Sequence, residues 1–274
     1  MTSPQSNIQY PDALMASDDN IEKLAQLIVD STQIAAFTGA GISTESGIPD
    51  YRGPNGVWAR NAIPHVDTIR TDTDSRQAMW KFRQEHYPEM MDKQPNNGHL
   101  AITELSRMGK LLAVITQNID GLHQKAGIDT ERVIELHGST HRLRCVNCGR
   151  VYEGAAIQMR MEAGEANPHC EVCGGALRTA TILFGESLPQ DALQTAIAVA
   201  RTSDLMLVVG SSLAVNPAAR LPGIAKDNGA KIAIVNREPT PLDTIADIRI
   251  GADAGSTLSR AVARAKERME TRPA

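Results

Sequence analysis

Short apolar runs alternate along the chain with segments in which apolar residues recur at helical spacing. The runs are bounded by polar residues and are too short for helices, so they predict buried β-strands at Gln33–Thr38, Leu111–Thr116, Leu205–Val209 and Lys231–Val235. The helical spacing predicts α-helices at Ile21–Ser31, Gln190–Arg201, Pro217–Asn228 and Ser256–Glu270. This alternation is typical of an α/β fold with a Rossmann-like, doubly wound parallel sheet. An α/β fold that binds no nucleotide is the alternative at this point.

Two stretches interrupt the alternation of strands and helices. Residues 48–105 are polar, contain proline and are helical in places, whereas residues 139–180 hold all the cysteines together with glycines and short polar segments. Each stretch is typical of an insertion into the α/β frame, so we expect a smaller second domain built from the two insertions.

Composition narrows the class of protein. Hydrophobic residues make up 42% of the chain but aromatic residues only 3%, so the core must consist of Ala, Val, Ile and Leu, which suits buried parallel strands. The formal net charge of -4 gives no overall basic field that would favour nucleic acid. No apolar run reaches the length of about 18 residues that spans a bilayer, and the polar N-terminus does not resemble a signal peptide. We therefore expect a cytoplasmic protein without a membrane partner.

The four cysteines form two C-x2-C pairs. They are Cys145, Cys148, Cys170 and Cys173. Two residues between cysteines allow both thiolates of a pair to face one ion, and a second pair completes the tetrahedral shell that Zn²⁺ prefers. A four-thiolate site has no open position, so the expected zinc ion is structural. The alternative is two unrelated pairs that are reduced or redox-active.

A glycine-containing segment follows the first predicted strand. Its sequence, from Thr38 to Ser43, is TGAGIS, and glycines here would let the backbone approach a phosphate group. The dinucleotide-binding fingerprint has a glycine at its sixth position, where this chain has Thr44. Taken alone, the segment is equally typical of an ordinary tight turn.

Five motifs in a fixed order make the interpretation specific. They are GAGISTESGIPDYRG at 39–53, QNID at 117–120, LHG at 136–138, GSSL at 210–213 and IVN at 234–236. In this order, with a C-x2-C pair shortly after LHG, the sequence closely resembles the sirtuin family over roughly residues 21–268. Sirtuins are NAD-dependent enzymes that remove acyl groups from protein lysines.

The resemblance implies a division into domains. Residues 1–20 would be a flexible tail, and residues 21–47, 106–138 and 181–274 would form the large NAD-binding domain. Residues 48–105 would supply a cofactor loop and a helical module, and residues 139–180 a zinc-binding module. NAD and an acyl-lysine peptide would then enter the cleft between the two domains from opposite sides.

The resemblance also assigns residues to NAD, which would be a co-substrate. The residues implied are Gly39, Ala40, Gly41, Ser43, Asp50, Tyr51, Arg52, Gln117, Asn118, Ile119, Asp120, Gly210, Ser211, Ser212, Asn236, Arg237, Glu238 and Ala254. Asp253 would lie near the adenine beside Ala254. For the QNID motif, a polar strand end with solvated side chains is the alternative.

The resemblance implies three catalytic residues. His137 would be the general base that deprotonates a ribose hydroxyl, a role that suits imidazole because it titrates near neutral pH. Asn118 would order the attacking water, and Asp120 would accept a hydrogen bond from the nicotinamide carboxamide. The products would be nicotinamide, O-acyl-ADP-ribose and free lysine. The other six histidines are interpreted as structural or solvated.

The acylated protein substrate would bind as an added β-strand between residues 184–189 and 215–217. The substrate-binding residues implied are Ile182, Phe184, Gly185, Glu186 and Val215. Plain core packing is the alternative for Phe184. We expect a monomer and no nucleic acid partner.

The acyl group is less closely defined. Desuccinylating sirtuins resemble one another in a Tyr-x-x-Arg pair, which residues 77–91 lack, although Arg83 and His86 lie in that region. The TESGIPDYR spelling resembles a subclass that includes a mitochondrial sirtuin with weak deacetylase activity. Deacetylation is therefore expected, with protein mono-ADP-ribosylation or removal of long-chain or lipoyl-type groups as alternatives. A further alternative is a non-catalytic NAD-binding or zinc-dependent interaction module.

Overall fold

The structure is a computed structural model, and it describes residues 16–50, 72–183 and 185–271. Its strands are β1 (Ile34–Thr38), β2 (Leu111–Thr116), β3 (Val133–Glu135), β4 (Gly138–Cys145), β5 (Val151–Glu153), β6 (Leu177–Thr181), β7 (Leu205–Val209), β8 (Lys231–Val235) and β9 (Ile248–Ile250). Its α-helices are α1 (Asp18–Asp30), α2 (Thr73–Asp92), α3 (Asn97–Arg107), α4 (Leu122–Lys125), α5 (Gly154–Glu162), α6 (Gln190–Thr202), α7 (Leu221–Asp227) and α8 (Ala254–Thr271). No helix within these ranges is both long enough and apolar enough to cross a bilayer.

A six-stranded sheet with the order β3-β2-β1-β7-β8-β9 forms the frame of the large domain. Every neighbouring pair in it is parallel. The strand order reverses between β1 and β7, and ligands of open α/β sheets bind at such a reversal, beyond the carboxyl ends of the strands. The predicted fold class is confirmed.

Both faces of this sheet are covered. Ala36, Val114 and Leu207 pack against α1, α3 and α8 on one face. Phe37 and Val208 pack against α6 and α7 on the other face. Burial on both sides explains why the strands are continuous apolar runs without alternation.

The helix ends follow the capping residues. Ser17 caps α1 by accepting a hydrogen bond from the Asn20 N–H, so this helix begins before the predicted Ile21. The predicted helix Pro217–Asn228 instead begins with a 3₁₀ turn at Ala218–Arg220 that continues into α7. Helix α3 runs past residue 105, and its apolar residues belong to the core of the large domain.

A second, smaller domain is built around an antiparallel sheet of order β5-β4-β6. Its core joins Trp80 of α2 to Leu143 of β4 and Ile157 of α5. Arg83 of α2 is buried, and its guanidinium donates hydrogen bonds to the main-chain oxygens of Thr140 and Gly154. Helix α2 and the cysteine-containing segment therefore share one core, as expected for a domain made from the two insertions.

The loops after β1 and β7 approach one another so closely that their glycines leave no room for a Cβ atom at the contact. The Gly41 N–H donates a 2.8 Å hydrogen bond to the Gly210 oxygen. A Cβ atom on Gly39 would lie 2.7 Å from that same oxygen. Gly210 has a left-handed φ of 63°, and a Cβ atom there would lie 2.2 Å from the Ile42 nitrogen. Glycine at these positions is thus required by the packing of the protein itself, before any ligand is considered.

Gly210→Ala should lower the free energy of unfolding by about 1–3 kcal/mol, because the new methyl group meets backbone and the residue must keep a strained φ. Denaturant unfolding followed by circular dichroism measures this. Gly223→Ala is the matched control: Gly223 lies inside α7 with open space where the new methyl group would lie, so alanine should maintain or raise stability. Equal stability of the Gly210→Ala variant and the parent would contradict the requirement.

Candidate active site

A buried polar cluster lies beyond the carboxyl ends of β1 and β2. The Ser43 hydroxyl donates a 2.7 Å hydrogen bond to Oδ2 of Asp120, whose Oδ1 accepts the Leu122 N–H at 3.0 Å. The Asn118 amide donates to the Gly39 oxygen at 3.2 Å and to Ser43 Oγ at 3.1 Å. Asn118, Asp120 and Ser43 are each less than 9% exposed. The structure therefore brings the predicted Ser43, Asn118 and Asp120 together and holds each in one orientation.

Gln117 connects this cluster to the second glycine loop and to His137. Its side-chain amide donates a 2.8 Å hydrogen bond to Ser211 Oγ. Its main-chain oxygen lies 2.9 Å from Nδ1 of His137. A carbonyl oxygen can only accept, so Nδ1 carries a proton in this contact, and in the neutral ring Nε2 then holds the lone pair. His137 is only partly buried, and in this tautomer Nε2 is able to accept a proton.

Two other histidines lie beneath the cluster and were not singled out by the sequence pattern. His99 and His123 are fully buried, with ring centroids 5.0 Å apart. Burial lowers the pKa of His99 to about 4, although Asp120 opposes the shift. Burial and then His99 hold the pKa of His123 well below its ordinary value. Both rings are therefore neutral at pH 7 and inaccessible to solvent and substrate, so neither can serve as the general base.

His99 and His123 are held by specific contacts. His99 is the third residue of α3, where its Nδ1 accepts the Asn96 N–H in a capping box. Nε2 of His123 lies 2.9 Å from the hydroxyl oxygen of Thr38, whose own proton is donated to Thr116. The spacing of Asn96 and His99 is the signal from which sequence reasoning could have placed His99 at a helix start.

The predicted adenosine-binding residues meet where β8 ends and α8 begins. The Asn236 amide donates to the Glu238 oxygen at 2.8 Å, and Arg237 Nε donates to Asp253 at 2.6 Å. The hydrogen bond to Asp253 is the main cause that raises the pKa of Arg237. Ala254 is buried and is the first residue of α8. These residues form one polar edge next to the Gly210 loop.

Most of the remaining predicted NAD-binding residues lie in the loops around the polar cluster. Ala40 belongs to the short 3₁₀ turn after β1, and Ser212 is exposed beside the buried Ser211. Ile119 accepts the Thr140 N–H at 3.1 Å through its main-chain oxygen. Asp50 is partly buried at the end of the first described range. The predicted residues Tyr51, Arg52 and Phe184 lie outside the described residues.

One of the predicted substrate residues, Ile182, is bonded directly to His137. The Ile182 N–H donates a 2.9 Å hydrogen bond to the His137 oxygen. Gly185 is exposed with a left-handed φ of 87°, and Glu186 follows it. Val215 is partly buried, and its oxygen accepts the Ala219 N–H at 2.8 Å.

The four cysteines converge, with their sulfur atoms all within 4.8 Å of one another. Cys145 Sγ lies 3.5 Å from Cys173 Sγ, and Cys148 Sγ lies 3.7 Å from Cys170 Sγ. Thiolates around Zn²⁺ at a bond length of about 2.3 Å are about 3.8 Å apart in a tetrahedron, so the cluster fits that ion. A hydrogen bond from Tyr152 is the main cause that lowers the pKa of Cys170 to about 6. For Cys173, a backbone hydrogen bond from Gly175 lowers the pKa, but hydrogen bonds with the other cysteines outweigh it and raise the pKa to about 12. The fit to a metal therefore rests on the distances between the sulfur atoms.

Comparison with known proteins agrees with this site. The model of the Sir2 family matches residues 39–217. NAD-dependent protein deacetylase 1 of Bradyrhizobium diazoefficiens is 45% identical over 89% of this chain and 97% of its own length. NAD-dependent protein deacylase 2 of Archaeoglobus fulgidus is 46% identical over 91% of this chain and 97% of its own length.

Solved structures give the same result. A mutant Sir2 homologue in complex with ADP-ribose has a TM-score of 0.85 and 35% identity, with coverage of 92% of this chain and 99% of that one. A Sir2 mutant with a deacetylated p53 peptide and 3'-O-acetyl-ADP-ribose has a TM-score of 0.80 and 38% identity, with coverage of 89% and 97%. The resemblance seen in the motifs is confirmed: the chain belongs to the Sir2 family.

Proposed function

We propose that the protein is an NAD-dependent protein lysine deacylase that releases nicotinamide, O-acyl-ADP-ribose and free lysine. The observation that carries the proposal is the contact of His137 Nδ1 with the Gln117 oxygen, beside the buried cluster of Ser43, Asn118 and Asp120. The relatives named deacetylases and deacylases, and the solved complex with an acetyl-ADP-ribose product, support the same reaction.

NAD, when bound, supplies the ADP-ribose that accepts the acyl group. We propose that Gly39 and Gly41 lie against its diphosphate, since the loop offers main-chain groups without side chains. Ser211 would bind phosphate or ribose, and the edge formed by Asn236, Arg237 and Asp253 would hold the adenosine. These roles follow from the position of each residue beyond the carboxyl ends of the strands.

The residues around the reacting ribose divide the work. Nε2 of His137 takes the proton from a ribose hydroxyl, while Nδ1 stays bonded to the Gln117 oxygen. Asp120 accepts from a carboxamide, a role that suits a carboxylate already positioned by Ser43 and Leu122. The Asn118 side chain, fixed by Gly39 and Ser43, orders the attacking water.

We propose that the cysteine quartet holds one structural Zn²⁺ ion. Four thiolates complete a tetrahedral shell, so the ion would stabilise the small domain and take no part in bond breaking. We also propose a cytoplasmic location, where reducing conditions keep cysteines available to a metal ion. Acylated proteins would be the substrates of a monomeric enzyme.

The environment of Arg83 indicates which kind of acyl group the enzyme accepts. The desuccinylase-like Tyr-x-x-Arg pair is absent from residues 77–91, and the Arg83 guanidinium is occupied by the oxygens of Thr140 and Gly154 and by the Tyr87 ring, 3.7 Å away. His86 is exposed and packs against Phe82. Because the buried cation is turned toward main-chain oxygens, we propose that the enzyme prefers neutral acyl groups, with acetyl as the first choice.

A panel of acyl-lysine peptides incubated with NAD tests the proposed reaction. We expect nicotinamide release and O-acyl-ADP-ribose with acetyl-lysine. With succinyl-lysine, kcat/KM should be at least about tenfold lower, a difference of about 1.4 kcal/mol, since the Arg83 cation is already bonded to main-chain oxygens. Mass spectrometry of the products discriminates the alternatives. If an ADP-ribosylated protein forms instead of O-acyl-ADP-ribose, the reaction is mono-ADP-ribosylation and not deacylation.

Replacing His137 by alanine should lower the deacylation rate by about 10²–10⁴-fold, because the ribose hydroxyl loses its general base. The free energy of unfolding should change little, since the ring is only partly buried. The matched control is His86→Ala, which removes an exposed histidine of the small domain. Wild-type activity in the His137→Ala variant would refute its role as the base.

Removal of zinc should unfold the small domain. We expect about one zinc ion per chain by mass spectrometry of purified protein, and Cys148→Ser should lose that ion together with several degrees of Tm. Val172→Ser is the matched control, because it changes an exposed residue of the second C-x2-C pair that is not a ligand. Folded, active protein without zinc would exclude a structural metal.

A further inference from the structure

Arg178 is a buried cation on the last strand of the small domain. Its side chain is 6% exposed, and it forms an ion pair with Glu186, whose side chain is 15% exposed. One terminal nitrogen donates to the Thr179 and Thr181 oxygens at 3.2 and 2.9 Å, and the other donates to Glu186 Oε1. The reaction steps proposed above use neither side chain, although Glu186 is one of the predicted substrate-binding residues.

The Glu186 carboxylate stabilises the turn between Leu183 and Glu186 that follows β6. Its second oxygen accepts the Leu183 N–H at 2.9 Å, and the Glu186 N–H donates to the Leu183 oxygen at 3.0 Å. Gly185, between them, takes the left-handed φ of 87° that such a turn favours. Arg178 therefore binds a residue that fixes both the main chain and the direction of this loop.

The strand that carries Arg178 joins the two chemical centres of the molecule. At one end of β6, Leu177 pairs with Cys145 in the sheet register. At the other end, Thr181 pairs with Gly138, and the next residue, Ile182, donates to the His137 oxygen. The Arg178–Glu186 pair thus lies between the cysteine cluster and His137, and it turns the chain back from the strand into the loop.

We propose that Arg178 is a positioning residue for the peptide substrate: through Glu186 it holds the loop that forms one wall of the peptide groove. The inference rests on the proposed function and on the predicted position of the peptide, between residues 184–189 and 215–217. Because breaking a buried pair removes the partner of a charge in a low-dielectric site, the loop must rearrange when either residue is replaced. The cost falls on peptide binding, whereas the NAD site on the large domain keeps its own contacts.

Steady-state kinetics with an acetyl-lysine peptide test the proposal. Arg178→Gln and Glu186→Gln should each raise KM for the peptide by about tenfold or more, with KM for NAD changed less than about twofold. The zinc content of both variants should equal that of the parent. Arg178→Lys keeps the charge with fewer donors and should give an intermediate KM.

The double variant Arg178→Gln/Glu186→Gln supplies a readout that a general structural role would not move. If the two residues act through one contact, the double variant should be no worse than the more impaired single variant, because the second change removes nothing further. The control is Lys226→Gln, which breaks the Lys226–Asp247 pair of the large domain without touching the loop or the cysteine cluster. Its KM for the peptide should equal that of the parent.

Three results would overturn the inference. They are an unchanged peptide KM in both single variants, losses that multiply in the double variant, and equal rises of KM for peptide and NAD. If Arg178→Gln fails to fold, Glu186→Gln decides the question, since it keeps the shape and hydrogen-bonding capacity of the side chain. Absence of NAD-dependent nicotinamide release in the parent protein would refute the proposed function instead.

Discussion

The contact between the loops after β1 and β7 is the constraint on which the rest of the site depends. These loops leave the sheet at the point where the strand order reverses, and they touch through backbone at Gly39, Gly41 and Gly210. Side chains are excluded at this contact, so the two loops meet there through main-chain groups, and the side chains of Ser43 and Asn118 lie beside them. The same contact fixes the Gly39 oxygen that Asn118 binds, and through Asn118 it sets the position of Ser43.

Burial separates the histidines into two kinds. His99 and His123 are enclosed and remain neutral, so they stabilise the floor of the site as hydrogen-bonding groups. His137 sits at the junction of β3 and β4, partly accessible, with one ring nitrogen fixed by the Gln117 oxygen. Burial thus distinguishes His137 from the two enclosed imidazoles.

The features that could be predicted from the sequence are those determined by residues close together in the chain. The strands at Leu111–Thr116, Leu205–Val209 and Lys231–Val235 have the predicted bounds, because strands buried on both faces are uninterrupted apolar runs. The short strand β9 was not predicted, because the charged Arg249 at its centre interrupts the apolar run. The cysteine spacing was sufficient for the cluster. The environment of Arg83 was not predictable, because its partners are main-chain oxygens of distant segments that only the packing of α2 against the small sheet brings near.

The position of the Arg178–Glu186 pair indicates how a structural metal at the cysteines would support catalysis without touching the substrate. A zinc ion at the cysteines would fix one end of β4 and β6, and the register of these strands carries that order to Gly138 and Thr181, next to His137. Arg178 branches from the same strand and sets the following loop. If the proposed function holds, loss of the metal would be felt along two connected routes, one through β4 to His137 and one through β6 and Arg178 to the loop at Glu186. Such coupling would give a closed four-thiolate site, which has no open position for chemistry, an influence on the reaction as well as on stability.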